Sequence, residues 1–307
     1  MTVLAILGPT ASGKSALAIR AAQALGGEIV SADSRQVYRG LDVGTAKPTA
    51  AERALVPHHM LDVAEPSERY DAARYRREAT AILADLASRG VRPVVVGGTG
   101  LYVRALLDGL DLDAVPADAG VRARLEEDAA RLGGPALHAR LAAADPAAAQ
   151  RADPRNVRRV IRYLEIVERA GTVGGAQRRG ERVPSVKIGL RPDRELLSAR
   201  IAARAREMAE GGVLEEARSL MERGVDPALP SMSGHGYKHW ARHLRGEVDL
   251  ETAIAATARD VRAYSRRQMT WLRRDPEIRW VDPEAEDPLP LVAELLRGAD
   301  AREPARA

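Results

Sequence analysis

The chain of 307 residues contains no cysteine and no phenylalanine. Without cysteine it can hold no disulfide framework, no thiolate nucleophile and no thiolate metal site, and it suits a reducing cytoplasm. Without phenylalanine, and with only 7 Tyr and 3 Trp, its core has to be built from Ala, Leu, Val and Ile. No apolar run approaches the roughly 18 residues of a membrane span. With 45% hydrophobic and 29% charged residues, the composition is that of neither a membrane protein nor a disordered chain. Residues 1–7 lack a basic leader segment and read as a strand, not as a signal peptide.

The formal charge is only +4, but it is unevenly spread. Residues 151–186 hold nine Arg against four acids, and residues 257–274 hold six Arg against Asp260. Two basic patches on an otherwise acidic chain point to a polyanionic partner, or else to solvated helix faces laced with salt bridges.

Residues 3–7 read as a buried strand, 8–15 as a glycine-containing loop, 14–25 as a helix and 28–31 as a second short strand. Residues 70–88 place Ala72, Tyr75, Ala79, Ile82, Leu83 and Leu86 on one helical face, and Gly90 ends that helix. Residues 93–96 form an unalternated apolar run, as a parallel strand covered on both faces should. Gly97-Gly98-Thr99-Gly100 then opens another helix. This alternation predicts an α/β fold, a P-loop NTPase-like core with a parallel sheet flanked by helices. From about residue 113 strands stop: 118–132, 135–143 and 155–170 read as helices and 171–180 as a loose glycine-rich stretch. Strand character resumes at 186–190, and 194–210, 213–223 and 250–273 are long helices. The expected organisation is a core of residues 1–112 and 187–297, an all-helical insertion at 113–186, and a frayed tail at 298–307.

Gly8-Pro9-Thr10-Ala11-Ser12-Gly13-Lys14-Ser15 matches G-x-x-x-x-G-K-[ST] in full, between a strand and a helix where the motif belongs. Backbone N–H groups and the helix N-terminus make such a loop an anion cradle. Lys14 supplies a point charge for a terminal phosphate, and the Ser15 hydroxyl is a ligand for Mg²⁺. No apolar strand ending in a metal-binding Asp accompanies the loop, since the strand at 93–96 runs into glycine. That favours a diphosphate other than a hydrolysed ATP. Asp33, in Ser31-Ala32-Asp33-Ser34-Arg35-Gln36, follows the second strand directly, so Asp33, Thr99 and the phosphate loop should face one crevice beyond the strand ends. Asp33 there is a candidate general base or a group that holds the ligands of Mg²⁺, the alternative being a turn or N-cap aspartate.

These segments resemble the bacterial tRNA dimethylallyltransferases. The likeness runs through residues 8–15, the stretch of 31–48 (Ser31-Ala32-Asp33-Ser34-Arg35-Gln36 to Lys47-Pro48), His58-His59-Met60-Leu61-Asp62 and Val96-Gly97-Gly98-Thr99-Gly100-Leu101-Tyr102. It continues in Arg162-Tyr163-Leu164-Glu165-Ile166, Gly236-Tyr237-Lys238 and Arg266-Arg267-Gln268-Met269-Thr270-Trp271-Leu272-Arg273. It covers nearly the whole chain in order, with departures at Tyr75, His235 and 261–263. The resemblance implies transfer of a dimethylallyl group from dimethylallyl diphosphate to N6 of the adenosine 3′-adjacent to the anticodon, in a cytoplasmic, monomeric enzyme. It also implies Arg204 beside the diphosphate, with Mg²⁺ on Ser15. Asp33 would take the N6 proton, and Thr99 would bind the diphosphate or orient N6. Ser34, Arg35 and Gln36 would adjoin the base, and Arg122, Arg158, Arg159 and Arg162 would grip the anticodon stem. The phosphate loop alone leaves two other readings, an ATP-dependent small-molecule kinase and a non-catalytic RNA-binding protein with a nucleotide-switched loop.

Overall fold

The computed structural model describes residues 1–301 apart from 111, 113, 114, 117, 177–179 and 235. The chain divides into two compact units, residues 1–107 with 183–307, and residues 108–182.

The first unit begins β1 (Val3–Leu7), α1 (Lys14–Leu25), β2 (Glu28–Ala32), α2 (Ala50–Leu55), β3 (His58–His59), α3 (Ala72–Ser88), β4 (Pro93–Gly97) and α4 (Gly100–Leu107). The second unit holds α5 (Ala119–Leu132), α6 (Gly134–Ala144), α7 (Pro146–Gln150), α8 (Val157–Ala170) and α9 (Val173–Ala176). The first unit resumes with β5 (Ser185–Leu190), α10 (Arg194–Glu210), α11 (Val213–Glu222), α12 (Tyr237–Leu244), α13 (Leu250–Leu272), β6 (Arg279–Val281) and α14 (Pro288–Asp300). A 3-10 turn at Pro230–Ser233 precedes α12.

The six strands form one sheet in the order β3-β2-β4-β1-β5-β6, every pairing parallel. All residues of β1 and β4 are buried, which is why neither alternates. One sheet face packs Leu4, Ile6, Val94 and Ile188 against Leu17, Ala18 and Ala21 of α1 and Val292 and Leu296 of α14. Each such Leu or Ile withdrawn from water contributes about 1.5–3 kcal/mol. Helix α3 starts at Ala72, two residues later than the periodicity indicates, because Asp71 caps it by accepting from Ala73 N and Arg74 N. Tyr75, fully buried, stacks on Tyr102 at 4.1 Å between centroids. The helix α14 corrects the frayed-tail expectation for 298–300, which form its last turn. Residues 302–307 and His235 lie outside the described residues.

Register matters most. Gly97 is level with Leu7 on β1 and with Ala32 on β2. The chain therefore leaves three neighbouring strands at one height, into the phosphate loop, into Asp33 and into Gly98-Thr99. Gly97 has to be glycine, since a Cβ there would collide with the Ala32 carbonyl.

The second unit has its own core, in which Leu125, Leu137, Leu141, Val160 and Leu164 are buried together. At its centre the fully buried Glu165 accepts from Asp118 N at 2.5 Å and pairs with Arg122 at 2.5 Å and Arg162 at 3.0 Å. Burial raises the Glu165 carboxyl, but the Asp118 amide and the two guanidinium groups outweigh it and hold the group below its ordinary range.

Candidate active site

The phosphate loop is held open by two left-handed residues, Ala11 at φ 64° and Gly13 at φ 84°. Gly13 precedes α1 with no side-chain cap, so the first-turn N–H groups of Lys14 and Ser15 are offered to a ligand and not to the protein. Gly8 packs against Ser12, whose buried hydroxyl has no partner among the described residues. The Pro9 carbonyl accepts from Ser12 N and from Lys14 Nζ, each at 3.3 Å. The Thr10 N–H donates to Gln268 Oε1 at 2.9 Å and so is not part of the anion cradle.

Lys14, Ser15, Asp33, Gln36 and Arg204 line one cavity together with Thr10, Thr45 and Ala46. Burial lowers the Lys14 ammonium to about 8, with Asp33 opposing that shift and Arg204 adding to it. Burial likewise lowers Arg204, against the attraction of Glu207 and Glu52. Neither cation makes an ion pair among the described residues, so the cavity is set up to receive negative charge. A wider cleft joins it at Ser15, Ala46, Pro48 and Arg204 and runs on past Asp42 and Glu52.

Asp33 is buried and accepts from Arg35 N at 2.8 Å and Gln36 N at 3.4 Å; among the described residues both bonds fall on Oδ1. Thr99 Oγ1 accepts from Ser34 N at 3.0 Å, tying the second loop to the end of β4. The side chains expected to adjoin a base divide here. Arg35 donates to the Pro230 carbonyl and, at 3.2 Å, to Ser233 Oγ. Gln36 accepts from Ser31 Oγ at 3.2 Å and donates to the Thr45 and Ala46 carbonyls at 3.3 and 3.2 Å. Both side chains thus brace the loops around Asp33. The segment after Gln36 is pinned in turn by Glu216, which accepts from the amides of Asp42, Val43 and Gly44, and by buried Lys47, which bonds Asp42 and Asp62 at 2.5 and 2.6 Å.

The expected RNA-contacting arginines lie on the helical unit and also divide. Arg122 and Arg162 are engaged by Glu165, and Arg162 also donates to the Val115 carbonyl at 2.5 Å. Of the arginines expected to grip the anticodon stem, Arg122 and Arg162 thus already have carboxylate partners within the protein. Arg159 donates to Tyr163 Oη at 2.8 Å, while Arg158 is exposed with no hydrogen bond or ion pair among the described residues. Sequence reading missed Tyr264 and Gln268, which reach the site from α13. Their four-residue spacing was the available signal, hidden in a stretch read for its arginines.

A family model described as IPP transferase matches residues 36–275, and one described as isopentenyl transferase matches residues 1–62. The chain belongs to the IPP transferase family. Among its curated relatives, the tRNA dimethylallyltransferase of Anaeromyxobacter dehalogenans (strain 2CP-1) is 54% identical over 287 residues, 92% of this chain and 93% of that one. The solved tRNA isopentenylpyrophosphate transferase of Bacillus halodurans is 38% identical with a TM-score of 0.72, covering 97% of this chain and 96% of its own. A eukaryotic dimethylallyltransferase solved acting on tRNA is 25% identical with a TM-score of 0.81, covering 99% and 81%. Membership of the IPP transferase family sets aside the kinase reading. No described helix is long and apolar enough to cross a membrane.

Proposed function

We propose that the protein transfers the dimethylallyl group of dimethylallyl diphosphate to N6 of the adenosine 3′-adjacent to the anticodon in a subset of tRNAs. The observation that carries this reading is the single cavity in which two desolvated cations, Lys14 and Arg204, stand beside the carboxylate of Asp33. Charge grows on the diphosphate as its bond to the allylic carbon breaks. The phosphate-loop amides, Lys14 and Arg204 are placed to hold that charge before it develops, which lowers the barrier without reorganisation. N6 is a weak nucleophile whose lone pair is delocalised, and it sheds a proton as it takes the carbon. Asp33 accepts that proton, while Thr99, fixed through Ser34, orients N6 or the diphosphate. Reaching this cavity requires the adenine to leave the anticodon stack, at a cost of about a few kcal/mol repaid by contacts to the loop.

The Ser15 hydroxyl and the diphosphate oxygens form a hard-oxygen set suited to Mg²⁺, and Ser15 lies in the same cavity as Lys14 and Asp33. A bound Mg²⁺ would neutralise part of the leaving charge. Arg158 and Arg159 are the proposed contacts to the anticodon stem, whereas Arg122 and Arg162 are engaged by Glu165. A cytoplasmic location belongs to the same reading. A monomeric enzyme is part of this reading. Incubation with unmodified tRNA, Mg²⁺ and labelled dimethylallyl diphosphate tests the reading. Label in the RNA is expected, and label that stays wholly in small molecules overturns it.

A further inference from the structure

One face of α13 touches all three loops of the cavity. Gln268, 4% exposed, accepts the Thr10 N–H of the phosphate loop at 2.9 Å. Its Nε2 lies so close to Gly98 that a methyl group there would collide with it. One turn earlier, the Tyr264 phenol is hydrogen-bonded with the side chains of Thr99 and Ser34. One turn later, Trp271 Cβ would stand 3.0 Å from a Cβ on Gly100. Residues 264, 268 and 271 follow the i, i+4, i+7 spacing of a single helical face. These contacts fall on the loops beyond the strand ends and at the start of α4, outside the strand pairings of the sheet. What they fix is the distance from the phosphate loop to Ser34 and Thr99.

We propose that Gln268, supported by Tyr264, is a positioning residue for group transfer: α13 sets the spacing between the diphosphate in the phosphate loop and the acceptor base beside Asp33 and Thr99. The inference rests on the proposed transferase function. It matters because the leaving group and the nucleophile are held by different loops, and a displacement of about 1 Å between them costs on the order of 100-fold in rate. In transfer, the carbon–oxygen bond to diphosphate breaks, the N6 lone pair takes the carbon and the N6 proton goes to Asp33. When N6 is misplaced, a water oxygen takes the same carbon and loses a proton instead, giving dimethylallyl alcohol and diphosphate.

The two products give the test. Labelled dimethylallyl diphosphate is supplied with saturating tRNA, and label is counted in RNA and in dimethylallyl alcohol. For Gln268→Ala the transfer kcat is expected to fall by about 100-fold with the KM for tRNA unchanged. Alcohol formed per modified tRNA rises. Tyr264→Phe, which deletes one hydroxyl and keeps the ring, shifts the same ratio in the same direction by less, and carries the test alone if Gln268→Ala fails to fold. A role in folding alone lowers both products together, so an unchanged ratio in the folded variants overturns the proposal. An unaltered protein that puts no label into tRNA overturns the transferase reading itself, and the inference with it.

Discussion

Two groups of cations, one in each unit, are handled in opposite ways. In the helical unit Arg122 and Arg162 converge on Glu165, and Arg124 and Arg140 on Glu168, at 2.5 to 3.0 Å. In the sheet unit Lys14 and Arg204 line a cavity without an ion-pair partner among the described residues, each lowered by burial. Desolvating a cation without pairing it is costly, and a fold keeps such an arrangement where a ligand supplies the missing charge. The contrast separates two kinds of arginine that look alike in a sequence. Those that meet a buried carboxylate hold the structure, and those left uncompensated are available for chemistry or for RNA.

The sharpest test is on the sheet side. Asp33→Asn keeps an oxygen able to accept from Arg35 N but removes the proton acceptor. Turnover is expected to fall by about two to four orders of magnitude with tRNA affinity nearly intact, read by single-turnover transfer and by a binding titration. Near-normal turnover would remove Asp33 from the reaction.

On the helical side the expected loss is of stability. Glu165→Gln leaves two guanidinium groups around a neutral amide, which should cost about 3 kcal/mol, measured as a drop in the urea midpoint. The pH dependence has a definite sign. The Glu165 carboxyl is lower in the folded than in the unfolded chain, so its contribution is present above its ordinary value of 4.5 and fades as pH falls through the depressed folded value. The variant should lose that part of the acid sensitivity. Impaired tRNA binding at unchanged stability would break the division drawn between the two units.

Lys14 gives a smaller, graded effect. Its ammonium is lowered to about 8, so in the free site Lys14 loses its charge as pH rises through that value while Arg204 keeps its own. Diphosphate affinity should therefore weaken by about tenfold per pH unit above 8, the slope of a single required proton. An affinity flat from pH 7 to 10 would mean that Lys14 does not meet the diphosphate as a cation.

Much of the sheet unit could be read from the chain. The helix start at Lys14 and its end at Leu25 follow from Gly13 and Gly26, both left-handed. The unalternated 93–96 run marks a central parallel strand because burial on both faces leaves a visible pattern. Less legible were β3 and β6, only two and three residues long and too short to show any period. The short helix α12 was also missed. The level ends of β1, β2 and β4 were foreseen, and Asp33 does share a cavity with Lys14 and Ser15, whereas Thr99 bonds Ser34 without lining that cavity, and the contacts of α13 were not foreseen. Its inner face is a hydrogen bond across 258 positions of chain, from Thr10 to Gln268. The arginines of α8 were legible as charge only. The i,i+3 pair of Arg162 with Glu165 was open to inspection, whereas the pairing of Arg122 with Glu165 spans 43 positions and needs the fold.

The smallest effect is the one that tests the comparison within a single helix. Arg158 and Arg162 lie four residues apart on α8. Arg162 is tied to Glu165 and the Val115 carbonyl, whereas Arg158 is exposed with no hydrogen bond or ion pair among the described residues. If uncompensated charge marks the RNA-binding arginines, the two should respond differently to replacement. A cation that meets an RNA phosphate releases condensed counterions, so its loss flattens the salt dependence of binding by about one unit of slope. Arg158→Ala should therefore flatten the slope of log affinity against log salt and leave the urea midpoint unchanged. Arg162→Ala should lower the midpoint, because it uncovers the buried Glu165, and leave the slope nearly as it was. Equal slopes for both variants would mean that pairing to Glu165 does not withhold an arginine from RNA. An unchanged slope for Arg158→Ala would move the electrostatic grip off this helix, to the arginines of α13.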